Sequence, residues 1–276
     1  MTYSVVARDI KTWHLGVAVQ THWFWVGNNV PWLEAWVWAI ATQAQTNMDY
    51  GKKWLKLLWD GKSPSEVLKE ISHSDTAFES RQVAMIDSIG NMIAHTGKDC
   101  IKYAWYLIWE SFIVQGNILT NDRVLPAMKS AYEENIDTDF AERLYLCIKA
   151  WEEAWWELRW VQSAALRIVP WERDSYDIIN LRIDDHTQPL SELKRQLDIQ
   201  KAYNLLNDAE EEWITWDIGL SLKLFTQALT ILPESEEILF WKAYMLKNKG
   251  RTEEAEEIFK KFWDNSKWGE LRKRIS

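Results

Sequence analysis

Polar and apolar residues alternate from the second residue of the chain. In TYSVVAR, Thr2, Ser4, Val6 and Arg8 share one face, and Tyr3, Val5 and Ala7, followed by Asp9, share the other. A period of two is that of a strand. Asp9 to Trp13 reads as a turn, and HLGVAVQTHWF over 14–24 as the returning strand of a hairpin. A third apolar run, AWVWAIATQA over 35–44, carries small residues suited to a buried strand. The period then becomes helical. GKKWLKLLWDG (51–61) and SPSEVLKEISHSD (63–75) each predict a helix, the second capped by Ser63 with Pro64 at its first position. Alternation resumes in SRQVAMIDSIGNMIAHTG (80–97), where two apolar runs flank the turn Asp87–Asn91, and in WESFIVQGN (109–117). Residues 122–135 and 139–154 return to helical spacing, and 162–170 and 176–185 to strands. Strands, helices, strands, helices, strands predict two sheets packed face to face with helices outside, a layered α+β domain.

From about residue 190 the strand pattern stops, and an internal repeat begins at a lag of 34 residues. Ala209 recurs as Ala243, Ser221 as Ala255, Leu224 as Ile258 and Phe225 as Phe259, and Pro233 closes the first unit. A small residue early in a second helix with an aromatic four later is the tetratricopeptide pattern. Fewer than about three such units do not stand alone. This segment is therefore expected to dock on or cap the core and to offer a groove to a peptide or protein partner. The expected domains are 1–203 and 204–276.

Composition narrows the function classes. Net charge is −9 and the pI is about 5.2, which argues against a surface for nucleic-acid phosphates. No apolar run reaches the ~18 residues of a membrane span, and no secretory leader pattern opens the chain, so a cytoplasmic protein is expected. Cys100 and Cys147 read as two reduced thiols. No P-loop, dinucleotide fingerprint, zinc spacing or nucleophile elbow is present, so no cofactor or metal is expected. Homo-oligomerisation is left open.

Seven blocks in order, MTYSVVARD, HLGVAVQTHWFWVG, VPWLEAWVWAIATQA, RQVAMID, VQGN, QSAAL and LRIDDH, resemble an uncharacterised prokaryotic family with an N-terminal-nucleophile (Ntn) hydrolase-like fold. The resemblance covers residues 1–203 and implies a four-layer αββα sandwich; the family's activity is not established. It also singles out Thr2. Without Met1, the Thr2 hydroxyl would lie beside a free α-amine with a pKa near 7.7–8.0, able to serve as its base. By analogy, Asn117 would donate to the oxyanion, with Ser4 and Gln43 assisting. The substrate would be a small amide or peptide. The opposing reading is a non-catalytic binding or assembly module, since Thr is a good strand residue in its own right.

Other residues carry weaker signals. His22, beside bulky aromatics, is either a pocket residue or a packed histidine. Asp184, Asp185 and His186 offer metal-ligand chemistry, but three adjacent residues cannot all face one ion; they read as a solvated strand exit, with Asp185 or His186 lining the cleft as the second reading. Arg81 and Gln82 are expected to pair with acidic core residues.

The chain has 20 Trp and only 10 Gly, against a usual glycine share of about 7%. The resembled family has Gly where this chain has Trp13, Trp36, Trp38, Trp54, Trp105, Trp109, Trp151, Trp155, Trp156 and Trp160, and Trp216 falls at a glycine position of the repeat. Overpacking costs about 1–3 kcal/mol per site, so ten such changes would exceed a typical stability of about 5–15 kcal/mol. Trp36-Val37-Trp38, in what reads as a buried strand, is the most severe. The expectation is that most of these are UGA codons, glycine in some bacterial lineages, written as Trp. Trp23 and Trp32 match family Trp positions and are expected to be genuine. The competing reading is an aromatic surface for sugars or partners.

Overall fold

The computed structural model describes residues 1–153, 161–172, 175–215, 217–260 and 267–275. It separates into two compact units, Met1–Lys194 and Arg195–Ser276. The boundary falls inside one continuous helix, where no change of composition marks it.

The first unit holds two antiparallel sheets. Strands β1 (Thr2–Arg8), β2 (Leu15–Thr21), β7 (Trp105–Trp109), β8 (Phe112–Asn117), β9 (Ser163–Val169) and β10 (Ile179–Ile183) form a six-stranded sheet in the order β10-β9-β2-β1-β8-β7. Strands β3 (Pro31–Glu34), β4 (Trp38–Ala44), β5 (Arg81–Asp87) and β6 (Met92–Thr96) form the second sheet, in that order. β1 is thus an interior strand, between β2 and β8.

The alternation in β1 sorts its two faces as expected. Val6 joins Val17, Val19 and Ile113 in an apolar cluster shared with Ala39, Ala41, Ala84 and Ile86 of the second sheet. Tyr3 points the other way and stacks on Trp151 at 4.3 Å between ring centroids. That residue lies in α5 (Phe140–Glu153), which follows α4 (Val124–Glu134). Gly16 on β2 allows this approach, because a Cβ there would sit 2.5 Å from a Leu144 methyl. On the second sheet, Trp38, Ile40, Val83 and Met85 turn from the shared cluster toward α2 (Asp49–Trp59) and α3 (Pro64–Ser74), meeting Tyr50, Leu58, Val67 and Ile71. Ser63 caps α3 as expected: its hydroxyl accepts from the Glu66 N–H, and the Glu66 carboxylate accepts from the Ser63 N–H in a reciprocal capping box.

Two hairpins differ from the expectation. The run 35–44 is not one strand, because β3 precedes it and residues 35–37 form the turn. Likewise β7 and β8 replace a single strand over 109–117. Trp36 is therefore a half-exposed turn residue rather than a buried strand residue, and its difficulty is backbone, not packing: its φ is +68°. Trp13 (φ +66°) and Trp25 (φ +68°) share that left-handed conformation, which suits glycine and strains other residues. Trp25 was not among the expected glycine positions. Trp38, Trp54 and Trp151 are buried, and Trp54 lies with its ring centroid only 3.4 Å from that of Tyr50. Trp105 and Trp109 lie on the outer strand β7, the first partly buried and the second exposed. Trp155, Trp156, Trp160 and Trp216 lie outside the described residues.

The second unit is helical. The long helix α6 (Pro189–Thr215) continues into it, and α7 (Ile218–Ile231), α8 (Glu236–Asn248), α9 (Thr252–Phe259) and α10 (Lys267–Ile275) follow. The pairs Ala209 and Ala243, Ser221 and Ala255, and Phe225 and Phe259 are all buried in it. Among the described residues no helix is long and apolar enough to cross a membrane.

Candidate functional site

The register of the six-stranded sheet builds the site. Thr2 pairs with Thr21 of β2 on one side and with Asn117 of β8 on the other. All three line a cavity of about 620 Å³, with Met1, His22, Val26, Val30, Cys100 and Ile118 among its other walls. Thr2 Oγ1 lies 2.9 Å from Thr21 Oγ1. Thr21 in turn donates to the Met1 carbonyl at 2.8 Å and accepts from the Trp23 N–H at 3.2 Å. With its own proton committed to that carbonyl, Thr21 is the acceptor for the Thr2 hydroxyl. The Met1 α-amino nitrogen sits 2.7 Å from His22 Nδ1. His22 both lines the cavity and is hydrogen-bonded, to Met1.

Beneath the cavity the two sheets are joined by buried amides. Ser4 Oγ donates to Gln43 Oε1 at 2.8 Å. Gln43 Nε2 reaches Gln82 Oε1 at 2.8 Å and the Thr2 carbonyl at 3.3 Å. Gln82 Nε2 faces Thr96 Oγ1 at 2.9 Å and the carbonyls of Gly116 at 2.9 Å and Trp105 at 3.1 Å. Asn117 Nδ2 donates to Gln82 Oε1 at 3.2 Å, and its second amide proton remains to serve a group in the cavity. Gln115 Nε2 adds bonds to the Ala41 carbonyl at 3.0 Å and to Ser4 Oγ at 3.3 Å. Ser4 and Gln43 are therefore floor residues: they hold Thr2 and Asn117 from below and do not line the cavity. Gln82 pairs with amides and carbonyls, not with acidic residues as expected; only Arg81 has an acidic partner, Asp75 at 2.9 Å.

Asp185 and His186 do not line the cavity. Asp185 accepts from Gln162 Nε2 at 3.0 Å, and His186 Nδ1 accepts from the Gln188 N–H at 3.0 Å; both are exposed. Asp184 pairs with Arg182 at 3.0 Å. Asp185 and His186 thus lie at a solvated strand exit, the first of their two readings, and the cleft role offered as the second does not appear. Among the described residues no three His, Cys, Asp or Glu side chains are placed to hold a metal ion.

The rim is strained and braced. Ala44 (φ +66°) and Ile118 (φ +54°), both lining the cavity, adopt left-handed backbone at the ends of β4 and β8; for a β-branched residue this is a clear outlier, of the kind that gathers at functional sites. Arg81 Nη1 donates to the carbonyl of Gln45, another wall residue, while its Nε binds Asp75. Burial opposes ionisation of Asp75, but hydrogen bonds from Arg81 and Tyr50 outweigh it and hold the carboxyl at about 2. Burial pushes the Cys100 thiol up, which makes it a poor thiolate. Thr21, Gln82 and Gln115 were not among the expected site residues, although Thr21 follows from the hairpin register opposite Thr2.

Fold and cavity together define a mixed α/β protein with antiparallel sheets, a polar-floored cavity at the head of its first strand, and a helical C-terminal region. Residues 2–193 match the pattern of a family of unknown function, DUF1028, and the chain belongs to that family. It is similar to the crystal structure of a Silicibacter pomeroyi protein assigned to the same family, with 29% identity and a TM-score of 0.65 over 71% of this chain and 87% of that one. The ancestral β-subunit Anbu of Yersinia bercovieri aligns over 71% of this chain and 92% of its own at 11% identity and a TM-score of 0.35, a similarity too low to decide anything. No curated protein matches the chain.

Proposed function

We propose that the first unit is an αββα Ntn-type amide hydrolase whose nucleophile is Thr2, active once the Met1–Thr2 bond is broken. The observation that carries this reading is the convergence of Thr2, Thr21 and Asn117 across three adjacent strands at a cavity of about 620 Å³. With Met1 in place the Thr2 nitrogen is an amide and has no basicity. Released, it becomes an α-amine titrating near neutrality, next to its own hydroxyl. Oγ1 then attacks a substrate carbonyl, its proton passes through the α-amine to the leaving nitrogen, and the free proton of Asn117 Nδ2 meets the developing oxyanion. Thr21 orients Oγ1 from the opposite side. A chain verified by intact mass to start at Thr2, assayed on a library of small amides and peptides, tests this. Hydrolysis that survives in Thr2→Ser and disappears in Thr2→Ala supports it; equal turnover in Thr2→Ala contradicts it.

One observation favours a second reading. Met1 is buried, 3% exposed, and its amine is tied to His22, as in a scaffold that keeps Met1 and binds without catalysis. Partner binding by a chain that retains Met1, with no turnover after its removal, supports that reading. In either case we read the second unit as a tetratricopeptide-like helical segment that contacts a protein partner, supported by the buried pairs at the 34-residue lag.

A further inference from the structure

Met1 forms part of the cavity wall, and the way it is held describes a ligand. Its α-amino nitrogen meets His22 Nδ1 at 2.7 Å. Its carbonyl oxygen accepts from Thr21 Oγ1 at 2.8 Å and from the His22 N–H at 3.4 Å, and lies 2.9 Å from the same Nδ1. Nδ1 bonds one of the two Met1 groups at a time: an ammonium has no lone pair, so toward the charged amine Nδ1 is the acceptor, with the ring proton on Nε2. Its side chain is buried beside a cavity whose walls include Val26, Val30 and Ile118. Amine, carbonyl and apolar side chain are the three parts of an aminoacyl group, and each has its own counterpart here. The remaining walls reinforce the choice. Among the described residues Asp99 is the one charged side chain on these walls, and neither Lys nor Arg lines the cavity. A substrate carboxylate finds no cationic partner among them and burying it would be costly, whereas an amine finds an acceptor.

We propose that, when the Met1–Thr2 bond is broken, the vacated space binds a second aminoacyl group with an unblocked α-amine. The substrates are then amino-acid amides or peptides with a free N-terminus and a mid-sized apolar first side chain, recognised by His22. This specificity rests on the hydrolase reading of Thr2, while the binding does not. Thr2 Nα and Oγ1 lie on adjacent carbons, so an acyl group on Oγ1 reaches much the same space that Met1 occupies on Nα. In the reaction the Thr2 Oγ1–acyl bond forms as the substrate C–N bond breaks, and the hydroxyl proton leaves with the amine. Water then cleaves the ester, releasing the free amino acid and restoring the Thr2 hydroxyl.

The test uses the full chain starting at Thr2 and a Thr2→Ala counterpart that binds without consuming ligand. Calorimetry compares L-methioninamide with N-acetyl-L-methioninamide. The amine should favour binding by about tenfold, the value of one charge-assisted hydrogen bond. His22→Phe should erase this preference, and His22→Asn, which keeps an acceptor, should retain part of it. Equal or tighter binding of the acetylated compound, or binding of neither, overturns the proposal. Binding of methioninamide with no turnover by the Thr2 chain upholds this inference while the hydrolase reading fails. Turnover confined to acetylated amides upholds the hydrolase and overturns the aminoacyl specificity.

Discussion

Gln82 is the joint on which the site's floor depends, and replacing it by Met isolates its polar role. Met has nearly the same volume, so little cavity or strain is introduced. What is lost is a fully buried amide that bridges both sheets, with Gln43 and Asn117 donating to its oxygen and the Gly116 and Trp105 carbonyls and Thr96 facing its nitrogen. Three of these groups have another outlet. Thr96 and Trp105 are only partly buried, and Asn117 faces the cavity. The Gly116 carbonyl and Gln43 Nε2 each lose one buried bond and keep another, Gly116 in its pairing with Trp105 and Gln43 in its 3.3 Å bond to the Thr2 carbonyl, while Gln43 Oε1 still accepts from Ser4. At about 1 kcal/mol for each buried bond lost, the expected loss is about 2 kcal/mol. Urea titration followed by hydrogen exchange on β1 and β5 measures it within the first unit, without interference from the second. A loss below about 1 kcal/mol would refute the view that the amide ladder holds the two sheets in register at Thr2.

Three other outcomes follow from the same structure. At Trp36, Trp13 and Trp25, glycine should be more stable than alanine by about 1–2 kcal/mol, the cost of a left-handed Cβ; both substitutions remove the indole, so the difference isolates the backbone, and alanine equal to glycine in thermal unfolding would contradict the φ argument. UGG codons at positions 36, 38, 155 and 156 of the gene would separately end the codon reading of the excess tryptophan. Because Asp75 is held at about 2, below the ordinary carboxylate range, its ion pair supports the fold fully above about pH 4 and loses that support as pH falls toward 2. Asp75→Asn should therefore lower stability at neutral pH and flatten this part of the acid limb; an acid limb of unchanged slope would count against it.

The strands of the first unit were legible because their alternation is strict, and β1, β2, β5 and β6 lie close to where the pattern places them. The hairpins at β3–β4 and β7–β8 were hidden for one reason. Their turns use Trp36 (φ +68°) and Glu110 (φ +30°), where Gly or Asn would have marked a turn. Trp25 concealed the start of the short helix α1 (Val26–Asn29) in the same way. At the site, Thr2 and Asn117 came from resemblance, and the sheet register shows why they meet. Asp185 and His186 had suitable chemistry but no periodicity to fix their direction, and the chain turns them to solvent. Gln82 and Gln115 could have been found as polar residues on inward faces, since they share parity with Ala84 and with Ile113 and its neighbours, but inward parity depends on which sheet covers which, and that is a tertiary fact.

The central claim is that the Thr2 hydroxyl is a nucleophile set in this cavity. A chain starting at Thr2, treated with a β-lactone and mapped by tandem mass spectrometry, measures it directly. A single ester adduct is expected on Thr2, absent from Thr2→Ala and from the chain that retains Met1. An unmodified Thr2, or an adduct on Cys100 in its place, would contradict it.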